Sequence, residues 1–419
     1  MTYLLLLNKV LKVLLALGWA MPFIVMIVRS MYGYEYNPNI ISNRILLAIS
    51  FCISVYYIIS WGFVLINKYS ISRVLKAIRN KDFKSFQFHL SRLSTNSMNH
   101  SSSSLLKVAI DLDAEADYVM LLLLKGSIIE EISTQYYNIS YTLHYIISYY
   151  KYIHPDMIRI LMDKGAYLDF VDTSRGFNGL SILQSAVLRG NTECIEFLLK
   201  QSINTNYFIT DINLNTLMLA ARYSKDPEVI ELLLSYGDDI HKINKDGYNS
   251  LLLAAQYNPN PEIIEILFRY GASIDSYSIK GDVLKINEVT PLRLAVMSNN
   301  IEVVRKLIDL GDNVNYKDLY GLSILFVAAT HNADLDVIKL LINKGANITS
   351  DYDNEGNTPL MGAAYLNSNI QIIRYLMLQC SQQLAAKNKD GLSFIDYLYE
   401  NKSLTNEEKD MIINKWDIN

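Results

Sequence analysis

The heptapeptide TPLRLAV, Thr290–Val296, is one of several copies of a pattern that recurs through most of this 419-residue chain. Asn215–Ala221 reads NTLMLAA, Asn249–Ala255 reads NSLLLAA and Thr358–Ala364 reads TPLMGAA. When the first residue of each copy is the reference, the pattern returns at intervals of 32 to 41 residues. The reference positions are Ser72, Ser104, Tyr141, Ser181, Asn215, Asn249, Thr290, Ser323, Thr358 and Ser393. A regular period of this length is typical of a repeat protein.

Each copy of the pattern predicts a pair of helices. A Ser, Thr or Asn at the reference position can cap the amino end of a first helix. A second apolar stretch follows with the i, i+3, i+4 spacing of an amphipathic helix, as in Val229–Ile240, VIELLLSYGDDI. Glycine is expected in a left-handed conformation where this second helix ends. These glycines are Gly165, Gly237, Gly271, Gly311 and Gly345. Since one helix pair cannot bury its own core, stability must come from stacking.

The pattern resembles the ankyrin repeat, whose signature is T-P-L-H-x-A at a period of 33 residues. The resemblance implies an all-α ankyrin-repeat solenoid of about nine to ten helix-turn-helix units with finger loops. Residues 104–392 are assigned to ankyrin repeats and residues 393–419 to a C-terminal capping repeat. Two departures limit the likeness. The signature histidine is kept only as His144, and Ser202 replaces one helix-ending glycine.

Two apolar segments precede the repeats. Residues 10–28 carry Lys12 as their only charge, and residues 45–66 carry none. Because about 20 apolar residues span a bilayer, the sequence predicts a transmembrane helical hairpin within residues 1–67. A cleaved signal peptide is an alternative for the first segment, but no small-x-small cleavage site precedes Arg29. Buried helices of a soluble core are the other alternative.

Positive charge surrounds the predicted hairpin. Residues 1–93 hold 11 basic and 2 acidic side chains, and most of the basic ones flank the two spans outside the connecting loop. By the positive-inside rule this predicts a multi-pass membrane protein with both termini and the ankyrin array in the cytoplasm. Residues 68–103 are interpreted as a basic, degenerate N-capping repeat. A basic amphipathic helix that binds anionic lipid is a compatible second interpretation.

The rest of the chain is acidic and lacks catalytic motifs. Residues 94–419 hold 27 basic and 40 acidic side chains, which disfavours nucleic acid as a ligand. Phosphate-binding loops, nucleophile elbows and zinc spacings do not occur in the sequence. Three cysteines cannot build a disulfide framework. We therefore expect no catalytic residue, no cofactor, no metal and no small-molecule substrate.

Candidate binding residues follow from the resemblance. Ankyrin-like solenoids generally bind proteins through their first helices, which line a concave face, and through their finger tips. The first-helix candidates are Arg222, Tyr223, Gln256, Tyr257, Met297, His331 and Tyr365, and the finger candidates are Tyr248 and Tyr320. Tyrosine and arginine are enriched at binding hot spots. The alternative is that some of the 30 tyrosines fall at these positions without a binding role.

Two functional hypotheses follow. In the first, the chain is a non-enzymatic, membrane-tethered ankyrin scaffold that binds a protein partner at the cytoplasmic face of a membrane. In the second, it is a subunit of an oligomeric membrane pore or complex that its solenoid regulates. The predicted spans contain no acidic residue or charged ring of the kind that pores use, which favours the first hypothesis.

Overall fold

The computed structural model describes Tyr57 and residues 69–93, 104–129, 135–150, 153–171, 179–209, 213–274, 289–298, 300–331, 334–349 and 351–414. The chain divides into two compact units, Met1–Ser101 and Ser102–Asn419. Apart from Tyr57, the predicted spans at 10–28 and 45–66 lie outside the described residues. Among the helices that are described, none has both the length and the apolar character needed to cross a bilayer.

The first unit contains a helix pair in its described part. Residues 69–79 are helical, and helix α1 covers Phe83–Leu90. The side chain of Asp82 caps α1 by accepting a hydrogen bond from the backbone N–H of Ser85 at 3.0 Å. Phe86 and Leu90 are buried on one face of α1. Ser72 lies inside the first of these helices, so its predicted place as a helix cap is wrong. The assignment of residues 68–103 as a capping repeat stays a prediction.

The second unit is a stack of helix pairs. Its described part contains α2 Leu105–Asp111, α3 Ala116–Leu124, α4 Gln135–Tyr149, α5 Pro155–Asp163, α6 Ile182–Arg189, α7 Thr192–Leu199, α8 Thr216–Tyr223, α9 Pro227–Ser235, α10 Ser250–Tyr257, α11 Pro261–Arg269, α12 Pro291–Met297, α13 Ile301–Asp309, α14 Ile324–Thr330, α15 Leu335–Asn343, α16 Pro359–Leu366, α17 Ile370–Gln379, α18 Phe394–Glu400 and α19 Asn406–Ile413. Each first helix packs against the first helices of its neighbours, and each second helix does the same. Two rows of helices result, as in a solenoid.

The predicted caps form at most reference positions. The side chains of Ser104, Ser181, Asn215, Asn249, Thr290, Ser323 and Thr358 each accept a hydrogen bond from the backbone N–H three residues later. Ser72 and Tyr141 are exceptions because they lie inside helices, and Ser393 donates from its backbone N–H and its hydroxyl to the Asp396 carboxylate. Tyrosine has no short acceptor to cap a helix. The helix-ending glycines have φ between +92° and +101°, and Ser202, which replaces one of them, has φ +58°.

Buried asparagines join neighbouring repeats, a feature that the sequence pattern did not reveal. Asn258, Asn367 and Asn401 directly follow first helices and are at most 2% exposed. The amide nitrogen of Asn258 donates to the carbonyl oxygens of Ala221 at 2.9 Å and Ser224 at 2.7 Å, at the end of the preceding first helix. Asn367 and Asn401 bond in the same way. The amide nitrogen of Asn367 donates to the carbonyl oxygen of Ala329 at the end of α14, and that of Asn401 donates to the carbonyl oxygens of Ala364 and Asn367 at the end of α16. Each asparagine thereby satisfies carbonyls that a helix end leaves without an intrahelical partner.

Candidate protein-binding surface

Exposed apolar side chains line the carboxyl ends of the first helices. We call this set the first-helix stripe; its members are Leu112, Tyr149, Leu188, Tyr223, Tyr257, Met297, Tyr365 and Tyr399, which are 39–62% exposed. Tyr223, Tyr257, Met297 and Tyr365 were expected from the sequence at this place. The other four were missed, although most lie, like those four, seven or eight residues after a reference position. A row of apolar groups at one place in successive repeats is the kind of exposed surface that binds another protein.

Arg222 joins two tyrosines of the stripe. Its guanidinium carbon lies 3.9 Å from the ring centroid of Tyr257 and 5.0 Å from that of Tyr223. Both distances fall within the range of cation–π attraction. Asn258 fixes this arrangement, because its amide binds the carbonyls of Ala221 and Ser224 on either side of Arg222 and Tyr223. The structure therefore brings three of the predicted residues together into one cluster.

Within the part of the chain that the structure describes, the Arg222 guanidinium donates no hydrogen bond. Its buried Nε has no hydrogen-bond partner, and within the described residues its guanidinium contacts are the two tyrosine rings. The other arginines in the described part of 104–414 each have a hydrogen bond or an ion pair; they are Arg159, Arg189, Arg269, Arg293, Arg305 and Arg374. Arg222 thus differs from them in having neither a hydrogen bond nor an ion pair among the described residues.

The remaining first-helix candidates lie further along the row. Gln256 is half-buried, and its carbonyl oxygen accepts a hydrogen bond from the Ser298 hydroxyl at 2.6 Å. His331 is exposed, with its Nδ1 2.9 Å from the Thr330 hydroxyl oxygen at the end of α14. Tyr365 packs edge-on against Tyr397, with ring centroids 5.5 Å apart. These residues lie in the same row as the Arg222 cluster.

The two finger candidates differ in their surroundings. Tyr248 is half-buried against an apolar cluster that includes Met218 and Leu253, so part of its surface serves packing. Burial also raises the pKa of the Tyr248 hydroxyl, with smaller contributions from Tyr257 and Asp246. Tyr320 is exposed at the tip of a tight turn. Its carbonyl oxygen accepts a hydrogen bond from the backbone N–H of Asn354 in the next finger at 2.9 Å.

Three side chains that could carry chemistry, those of His144, Cys194 and Cys380, are buried inside the array. Burial raises the pKa of the Cys194 and Cys380 thiols to about 12, which leaves both as thiols at neutral pH. Burial lowers the pKa of His144 to about 3, and its Nε2 lies 2.7 Å from the Ser185 hydroxyl oxygen. His144 therefore links two repeats in its neutral form. Cys52 lies outside the described residues.

Stacked helix pairs with capped first helices, left-handed glycine ends and finger loops define a repeat protein of the helical-solenoid class. A family model described as ankyrin repeats in three copies matches residues 143–243, 217–318 and 294–390. The chain belongs to the ankyrin-repeat family. This confirms the ankyrin solenoid expected from the sequence.

Two similar proteins illustrate the likeness. The chain is 31% identical over 182 residues to the potassium channel AKT2/3 of Arabidopsis thaliana. That match covers 43% of this chain and 17% of the channel, so the chain spans less than a fifth of that relative. The crystal structure of the human ASB11 ankyrin repeat domain matches with 22% sequence identity and a TM-score of 0.46. It covers 57% of this chain and 96% of that domain.

Proposed function

We propose that this chain is a non-enzymatic scaffold that binds a protein partner through the first-helix stripe. The observation that carries the proposal is the stripe itself, a row of exposed apolar side chains on eight of the nine first helices that the structure describes in the ankyrin array. Tyrosine supplies a large contact area with few rotatable bonds, so ordering it on binding costs little entropy. Ankyrin repeats generally serve as protein-interaction scaffolds, which supports the same function.

A cross-linking experiment tests which face binds. A photoreactive amino acid is placed at Tyr223 in the full chain, and at Tyr236 in a matched control. Both tyrosines are 42–49% exposed, but Tyr236 follows the second helix α9. After irradiation in native membranes, we expect a discrete adduct from position 223 and little from position 236. Equal labelling from the two positions would eliminate the stripe as the binding face.

We also propose that the two apolar segments hold the array at the cytoplasmic side of a membrane. The support is the predicted pair of spans and the basic character of residues 1–93. A tether raises the local concentration of the array, so even a modest affinity for a partner suffices. Protease added to sealed, cytoplasm-inside vesicles should leave the array intact, and opening the vesicles should expose it. Digestion in the sealed vesicles would reverse the topology.

A pore or channel subunit regulated by its solenoid is the second candidate. One observation favours it, namely the 31% identity to a protein described as a potassium channel. Because this match covers 17% of the channel, it supports the array more than any pore-forming part. The mass of the detergent-extracted full chain separates the candidates. A monomer or a complex with a different protein supports the scaffold, whereas a homo-oligomer supports the pore.

A further inference from the structure

We propose that the guanidinium of Arg222, held between Tyr223 and Tyr257, binds a carboxylate in an extended peptide segment of the partner, flanked there by apolar residues. The inference rests on the proposed function, since it names the chemistry of the partner at the first-helix stripe. The three residues are named together below as the arginine clamp.

The arginine clamp is already organised for an anion. Stacking on the Tyr257 ring at 3.9 Å restricts the guanidinium, and the buried amide of Asn258 fixes the backbone on both sides of Arg222. A guanidinium that is fixed before binding loses less side-chain entropy when it pairs. A planar group between two rings also presents its edge, where its N–H donors lie.

Carboxylate is the anion that this geometry favours. A guanidinium and a carboxylate form two parallel hydrogen bonds, which a single arginine can satisfy by itself. In the described residues no acidic side chain is paired with Arg222, although residues 94–419 hold 40 of them. The net charge of −13 over those residues repels multiply charged ligands such as nucleic acid more strongly than a single carboxylate.

The neighbouring side chains determine what flanks the carboxylate. Leu188 lies one repeat before Arg222, and Met297 lies one repeat beyond Tyr257; both are exposed. Stacked helices lie about 10 Å apart, and an extended peptide advances about 3.3 Å per residue. An apolar residue about three positions to one side of the acidic one would therefore reach Leu188, and one about six positions to the other side would reach Met297. Arg189 and Lys225 are exposed nearby and add positive charge to the same stretch.

Peptide selection on the full chain in lipid nanodiscs tests the inference. Random 12-residue peptides are selected on the wild-type protein and counter-selected on a variant with Tyr223, Tyr257 and Tyr365 changed to alanine. We expect the selected peptides to share one glutamate or aspartate with an apolar residue about three positions to one side and another about six positions to the other. Fluorescence polarisation then measures the affinity of a selected peptide in two versions. The acidic peptide keeps its glutamate or aspartate, and the amide peptide has glutamine or asparagine in its place.

Arg222→Gln should weaken binding of the acidic peptide about tenfold or more, as expected for loss of a charge-assisted hydrogen bond. The amide peptide should bind wild type and Arg222→Gln alike, because the two changes remove the same contact. Arg222→Lys should recover only part of the affinity, since lysine lacks the planar fork. Arg269→Gln is the matched control and should have little effect, because Arg269 lies at the end of the second helix α11 and is paired with Glu231.

The possible failures are distinguishable. If the affinity of a peptide depends on the three tyrosines but does not fall with Arg222→Gln, the arginine clamp is refuted and the proposed binding face stands. Independent, additive losses from the two changes would also overturn it. If no selected peptide depends on the three tyrosines, both the clamp and the proposed binding face are refuted.

Discussion

A buried ion pair between Arg293 and Asp318 joins one repeat to the finger of the next. The Arg293 Nη1 donates to the Asp318 Oδ2 at 2.7 Å, and the two side chains are only 10% and 1% exposed. The other carboxylate oxygen, Oδ1, accepts hydrogen bonds from the backbone N–H groups of Tyr320 and Leu322, both at 2.9 Å. The carboxylate therefore shapes the finger turn as well as pairing with the arginine.

Arg293→Met should destabilise the array strongly. The substitution leaves the Asp318 carboxylate in a buried place without its counter-ion. Removing one partner of a buried pair costs about 3–5 kcal/mol. Because the Asp318 side chain is 1% exposed, it cannot recover hydration without opening the finger, so a value in this range is expected.

A second substitution, Asp318→Asn, should restore most of the loss. The asparagine carbonyl can still accept the two turn hydrogen bonds, and no buried charge remains. The chain itself has a methionine and an asparagine at these two positions in two other repeats. Met218 and Met361 take the place of Arg293, and Asn244 and Asn388 take the place of Asp318. Asn244 accepts the equivalent backbone hydrogen bonds at 2.9 and 3.0 Å. We expect the double variant of Arg293 and Asp318 to lie within about 1 kcal/mol of wild type.

Urea unfolding of the full chain at pH 7 measures these differences, and hydrogen exchange of the finger amides locates them. The single Arg293→Met variant should unfold at lower urea and lose protection at residues 318–323. The double variant should recover both. A single variant that loses less than about 1 kcal/mol would refute the reasoning from an unpaired buried charge. A double variant as unstable as the single one would refute the role assigned to the carbonyl oxygen.

Three further predictions concern other repeats. Gly362→Ala should lower the free energy of unfolding by about 1–2 kcal/mol, because its Cβ would lie 2.6 Å from the Thr330 Cγ2 and 3.0 Å from the Phe326 ring. In thermal unfolding, Thr330→Ser should restore part of this loss, and a single variant more stable than wild type would contradict the prediction. Burial raises the pKa of Asp238 to about 6, partly offset by the Thr205 hydroxyl, so the stability of the folded state falls as the pH rises from about 4 to 6. The free energy of unfolding of Asp238→Asn should therefore equal that of wild type near pH 4 and exceed it by up to about 3 kcal/mol at pH 7. A difference in urea unfolding that does not change with pH would count against burial as the cause. Asn401→Ala should lower the free energy of unfolding by about 2 kcal/mol, because the carbonyl oxygens of Ala364 and Asn367 lose their donor. The amides of α18 should also lose protection from hydrogen exchange, and unchanged exchange would show that water replaces the asparagine amide.

Local chemistry explains why much of the fold could be predicted from the sequence. An N-cap needs a short polar side chain, and a left-handed helix end needs glycine, so residues such as Thr290 and Gly311 can be recognised without knowing their neighbours. The same reasoning explains the error at Tyr141. Its neighbours Ser140 and Thr142 could have capped a helix, but their hydroxyls accept backbone N–H bonds from Tyr167 and Ile129 instead.

Features that depend on contacts between repeats could not be predicted in this way. The partners of Asn258 lie 34 and 37 residues earlier in the chain, and nothing in the local sequence distinguishes this asparagine from one in a surface turn. Tyr223 and Tyr257 were expected on the binding face from their position in the repeat. That Arg222 lies between their rings depends on the spacing of α8 and α10, which only the folded array provides.

The asparagine bridges and the first-helix stripe occupy the same short segments, and this proximity has a consequence for binding. Tyr257 directly precedes Asn258, and Leu366 directly precedes Asn367, so an exposed apolar residue is covalently attached to a fully buried one. The amide of Asn258 holds the end of α8, where Tyr223 of the stripe lies, and the amide of Asn401 holds the end of α16, where Tyr365 lies. The exposed side chains are therefore presented on a backbone that is already ordered. A partner that binds them orders only side chains, and this lowers the entropic cost of association.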